Sequence, residues 1–135
     1  MINIRDQKIA LLVYLVFPIL CLSQSNHLYY HKNPSPAEPG QPIKISQILF
    51  NEEFVDYGTL YFRDQGELSY QETMMDYENG YWVGIIPGNR VSLNDIEYVT
   101  VLYKQDGGRI SLPLSDNPFE NPLNIQVLSL KKKSK

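Results

Sequence analysis

The sequence is nearly free of cysteine, histidine and tryptophan. Its 135 residues hold one cysteine (Cys21), one tryptophan (Trp82) and two histidines (His27 and His31). Cys21 lies in an apolar leader, so a chain cleaved after Ser23 carries no cysteine. That excludes disulfides, a thiol nucleophile, a cysteine zinc site and a redox pair. A hydrolytic triad needs a base held by the fold. Both histidines instead lie in a stretch broken by Pro34, Pro36, Pro39 and Pro42. Their spacing of four would matter only on a helix, which these prolines disfavour, so they read as solvated linker residues rather than zinc ligands.

A basic face is missing as well. Between residues 24 and 130, six Lys and Arg stand against fourteen Asp and Glu. A nucleic-acid partner is therefore not expected. Four lysines crowd the end, at Lys131, Lys132, Lys133 and Lys135. This basic tail, residues 129–135, reads as a solvated terminus that could also touch an anionic surface. The carboxylates are plentiful but unpaired in pattern. Glu52, Glu53, Asp56, Glu72, Asp76 and Glu78 fall in turns or on polar faces, and nothing marks one of them as a buried acid. Asp116 to Asn121 offers oxygen ligands without the alternating acids and glycine of a calcium loop. No catalytic residue, cofactor or metal is expected, and the chain is not expected to be an enzyme.

What is present begins with an export signal. Arg5 and Lys8 precede an almost wholly apolar run over residues 9–22, followed by a polar exit. A basic start, a short apolar segment and small residues at the exit form a signal-peptide pattern. The run is short of the roughly 20 apolar residues of a membrane-spanning helix. Cleavage after Ser23 is expected, making residues 1–23 a signal-peptide helix and the protein periplasmic, surface-attached or secreted. The alternatives are a lipid anchor on Cys21, which Leu20 disfavours, and an uncleaved membrane anchor. Any membrane contact is expected only through the signal or an anchor.

Residues 24–39 read as a proline-rich linker arm, and residues 40–128 as one β domain. Ile43-Lys44-Ile45-Ser46-Gln47-Ile48 alternates apolar and polar and then slips by one residue, which suggests a bulged strand. Tyr57 to Arg63, 68–73, 80–86, 96–103, 109–112 and 123–127 complete the candidate strands. Gly66 and Asp106-Gly107-Gly108 mark turns, and Asp76 to Gly80 reads as a further turn. Trp82 is assigned to the core with Gly84 and Ile86, and Met74 and Met75 to its edge. Strands at this spacing, with no helical period after the leader, predict an all-β, two-sheet sandwich of seven to eight antiparallel strands.

The stretch 80–108 also resembles the immunoglobulin-like or fibronectin type III-like domains of secreted bacterial proteins. Leu60-Tyr61-Phe62-Arg63 with Gly66, Trp82-Val83-Gly84-Ile85-Ile86-Pro87, Ile96-Glu97-Tyr98 and Gly107 carry the resemblance. The lead-in Pro39-Gly40-Gln41-Pro42-Ile43 and the exit Asn121-Pro122-Leu123-Asn124-Ile125 extend it to about 36–127. It implies an immunoglobulin-like sandwich in which the Tyr98 hydroxyl bonds back to the backbone. Lys104 stands where the family often has an acid. Such domains usually belong to larger surface proteins, so the chain is either a solitary domain or a piece of a longer one.

Tyrosine is the richest lead, with nine remaining after residue 23. Tyr57, Tyr61, Tyr70, Tyr77 and Tyr81 fall on or near the middle strands. The expected function is a non-catalytic secreted or cell-surface module for protein–protein contact or spacing, with a protein partner or neighbouring domain. The alternative is a carbohydrate-binding module using exposed rings, with Tyr61 and Tyr81 as the candidate ligand-binding residues. A row of solvent-facing tyrosines favours glycan; rings buried in the core favour the structural role.

Overall fold

The computed structural model describes residues 29–50 and 54–128. The expected signal peptide, His27, the Asn51 to Glu53 turn and the lysine tail lie outside these residues. The described residues form eight strands and no α-helix: β1 (Tyr29–His31), β2 (Ile43–Leu49), β3 (Val55–Asp64), β4 (Gln71–Glu78), β5 (Tyr81–Ile86), β6 (Ile96–Lys104), β7 (Arg109–Leu112) and β8 (Leu123–Ile125). A short 3-10 turn at Gly88–Arg90 follows β5.

All strand pairs are antiparallel. Their order is β1-β2-β5-β4-β3-β6-β7, with β8 on the same side of β6 as a second short segment. Two separate sheets were expected; the strands instead form one continuous, curled, half-barrel-like sheet. The reason lies in β4. Its first half, through Met75, pairs with β3. Its second half, Asp76 to Glu78, pairs with β5. One strand thus serves both halves and joins them.

Two residues of positive φ turn β4 back into β5. Asn79 (φ 50°) and Gly80 (φ 85°) form the two-residue connection between β4 and β5. Asn-Gly is the favoured pair for such a hairpin because both residues must adopt positive φ. The turn read over Asp76 to Gly80 is therefore only its last two residues, and β4 runs on to Glu78.

The halves close on a core of alternating residues. Ile43, Ile45, Leu60, Phe62, Met75, Ile86, Ile96, Tyr98 and Leu102 are buried together, with Trp82 packed against them. Gly84 permits the approach: a Cβ there would sit 2.9 Å from Leu60 Cδ2. Of the two methionines assigned to the core edge, Met75 is buried and Met74 is exposed. The proposed bulge in β2 is absent, because β2 keeps its pairing with β5 from Ile43 through Gln47. Strict alternation then turns Gln47 inward. The register irregularity occurs in β3, between Val55 and Tyr57.

The arm is part of the fold. Tyr29–His31 forms β1 against the end of β2. Ala37 then makes a parallel bridge with Val127, through Ala37 N–H to Gln126 O (2.9 Å) and Leu128 N–H to Ala37 O (2.8 Å). The prolines between these contacts lack the donors for a continuous ladder, so the chain leaves β2 and rejoins beside β8.

Candidate functional site

Alternation along β3 sends Leu60 and Phe62 into the core and Tyr57, Thr59, Tyr61 and Arg63 to the outer face. The register sets Tyr57 beside Tyr103, Thr59 beside Val101 and Met74, Tyr61 beside Val99 and Glu72, and Arg63 beside Glu97. Directly opposed residues share a face, so these side chains form one patch across β4, β3 and β6.

The aromatic rings of the patch are locked together. Tyr57 and Tyr103 stack at 4.5 Å between centroids and 18° between planes. The Tyr61 and Tyr103 hydroxyls hydrogen-bond at 2.9 Å. Phe119, from the loop over 113–122, meets Tyr61 edge-on at 5.1 Å and Tyr70 at 5.3 Å. The Tyr70 hydroxyl donates to the Phe119 carbonyl at 2.9 Å. The Arg63 guanidinium lies 4.2 Å from the Tyr70 ring centroid, and its Nε donates to Glu97 Oε2 at 2.7 Å. Edge-on and cationic contacts of this kind each add about 0.5–1.5 kcal/mol beyond simple burial.

This packing shows in the electrostatics. Burial, followed by the hydrogen bond to Tyr103, pushes the Tyr61 hydroxyl up to about 12. Burial likewise raises Tyr70, with the Arg63 charge opposing it. The Tyr61 and Tyr70 hydroxyls therefore stay neutral at ordinary pH, and both are already hydrogen-bonded. The apolar parts left to solvent are Tyr57, 42% exposed, Met74, 69% exposed, and the Phe119 ring.

Tyr61 and Tyr81, the two residues singled out from the sequence, do not converge. Tyr61 belongs to the patch on β3. Tyr81 is exposed on the outer face of β5, across β4 in the sheet order. It borders a shallow polar depression with Tyr30, Lys32, Lys44 and Glu78. The residues that sequence reasoning missed are Tyr103, Phe119 and Arg63. Phe119 lies in a Pro/Asn/Asp loop with no periodicity, so no local signal places its ring against β3.

Tyr98 and His31 require correction. Tyr98 is buried in the core, and its hydroxyl meets His31 Nε2 at 2.8 Å rather than the backbone. His31 Nδ1 lies 3.0 Å from the Ser46 carbonyl. A carbonyl only accepts, so Nδ1 carries the proton and Nε2 accepts from Tyr98. His31 is thus a half-buried clamp, not a solvated linker residue. Desolvation lowers its pKa, the Ser46 hydrogen bond opposing, and burial raises that of Tyr98.

Among the described residues no group of three or more His, Cys, Asp or Glu side chains could hold a metal ion. No protein-family model matches the chain, and no curated protein matches it.

Proposed function

We propose that this chain is an exported, non-catalytic immunoglobulin-like module that makes contact with a protein partner through the outer face of β4, β3 and β6. The strand order supports the kinship. Named A to G in chain order, β1 to β7 run A-B-E-D-C-F-G, in keeping with the ABED and CFG sheets of a constant-type immunoglobulin domain. In that frame β8 continues the last strand after the 113–122 loop. The basic start and apolar run of residues 1–23 support export.

The locked aromatic patch carries the contact reading. Tyrosine, methionine, phenylalanine and arginine are enriched where proteins meet, and rigid rings lose little freedom on binding. The hydroxyls of Tyr61, Tyr70 and Tyr103 are spent on internal bonds or an internal carbonyl. The row therefore offers a partner apolar area more than free hydrogen-bonding tips. That favours a protein surface over a sugar at this row.

The test is co-purification of the full chain from its source cells, beside a Tyr57→Asp/Met74→Asp variant of matched melting temperature. The reading expects proteins recovered with the native chain to be lost from the variant. Recovery of the same proteins by both, or of none by the native chain, would overturn it.

A further inference from the structure

A groove of about 380 Å³ lies beside the aromatic row, between β7 and the 113–122 loop. That is within the roughly 300–1,000 Å³ of small-molecule sites. Its lining divides by chemistry. Val101, buried in β6, supplies an apolar floor, and Phe119 a wall. Arg109 and the carboxylates of Asp116 and Glu120 line the same groove. Among the described residues these three side chains have no hydrogen-bond or ion-pair partner. This separates the groove from the adjoining row, where the Tyr61, Tyr70 and Tyr103 hydroxyls and the Arg63 guanidinium are engaged internally.

The Phe119 wall is fixed before any ligand arrives. Two ring contacts and the hydrogen bond from Tyr70 to its carbonyl hold it. Fixed walls spare a ligand part of the ordering cost of binding. The mixed charge then selects ligand chemistry. A cationic side chain would face Arg109, and an anionic group would face Asp116 and Glu120. A hydroxyl both donates and accepts, so it can satisfy carboxylates and guanidinium at once, and a sugar ring also brings an apolar C–H face to an aromatic wall.

We propose that this groove is a binding site for a neutral pyranose, with Arg109, Asp116 and Glu120 engaging its hydroxyls and Phe119 its ring face. The groove shares the Phe119 ring with the protein-contact face, but Tyr57 and Met74 do not line it, so variants at those two positions separate the readings.

The experiment applies the purified full chain to an array of neutral gluco-, manno- and N-acetylglucosamine-type oligosaccharides, then titrates the strongest binder. Arg109→Ala and Asp116→Asn are expected to weaken that binding about tenfold or more, since each removes a charge-assisted hydrogen bond. Both positions are exposed, so folding is retained, checked by melting temperature. Tyr57→Asp/Met74→Asp should bind the saccharide as the native chain does. No saccharide bound, or undiminished binding by both groove variants, would overturn the proposal while leaving the co-purification result to decide the protein contact separately.

Discussion

Thr100 reaches across the core to Gln47. Its hydroxyl lies 2.6 Å from Gln47 Oε1, and the two residues are 0% and 3% exposed. One sits on β6 and the other on β2, so this bond ties the two halves of the curled sheet face to face. The clamp from Tyr98 to His31 does the same one strand further out, between β6 and β1. An aliphatic core is not selective about how two surfaces slide past each other, whereas a buried polar pair is satisfied in one register.

Breaking that pair should cost more than removing it. Thr100→Val leaves the Gln47 amide buried without its partner, which costs about 1–3 kcal/mol. The double variant Thr100→Val/Gln47→Met should recover much of the loss, because no polar group is then stranded. Urea unfolding of the two single variants and the double variant measures this. Equal or additive losses in the double variant would count against the pair acting as a unit.

His31 should make stability depend on pH in the mildly acidic range. Its folded pKa lies below the ordinary imidazole value of 6.5, through desolvation. The unfolded chain therefore takes up its proton first as pH falls. The contribution is complete above the unfolded pKa and is lost as pH drops through 6.5 toward the folded value. The native chain should thus lose stability between pH 7 and pH 5 more steeply than His31→Gln, as measured by denaturant titration at each pH. Parallel profiles would contradict the clamp.

The Tyr61 and Tyr103 pair should be visible at high pH. Tyr61 titrates at about 12 in the folded chain, against an ordinary value of 10.0. Its raised pKa stabilises the fold below the unfolded value and is lost as pH climbs from 10 toward 12. Tyr103→Phe removes the hydroxyl that contributes to the shift, so Tyr61 should titrate lower in that variant. Tyrosinate absorbance, with NMR to identify Tyr61, checks the order.

Gly84 should tolerate no β-branched residue. A Cβ there would sit 2.9 Å from Leu60 Cδ2 and 3.3 Å from Met75 Cγ. Gly84→Val should cost about 1–3 kcal/mol through overpacking, read as a lower thermal midpoint. A midpoint equal to that of the native chain would mean that β5 and β3 are not held at this spacing.

The all-β class was legible because β2 alternates and β3, β5 and β6 are rich in β-branched and aromatic residues between turn signals, with no helical period. The joining role of β4 was not, although the Asn79-Gly80 dipeptide marked its true end. Reading five residues as turn removed three that pair with β5. Gln47 was misread for a related reason. A polar residue at an apolar position looks like a slipped register, and its partner Thr100 lies far away in the chain. His31 was taken for linker because prolines follow it, yet prolines break a ladder only where they stand. The candidate site was half legible. Tyr61 belongs to the patch, but Tyr81 does not, since one period-two count cannot say which outer face another strand shares. Phe119 and Arg109 come together only through the path of the 113–122 loop, which no local pattern encodes.

The proposed contact face is most directly tested by photo-cross-linking in the source cells. A benzophenone side chain would replace Tyr57 in one version of the full chain and Ile85 in another. Ile85 is 52% exposed on the outer face of β5, where it pairs with Lys44 of β2. The account expects a discrete protein adduct from position 57 and none from position 85. Adducts from position 85 alone, equal adducts from both, or none from either would contradict it.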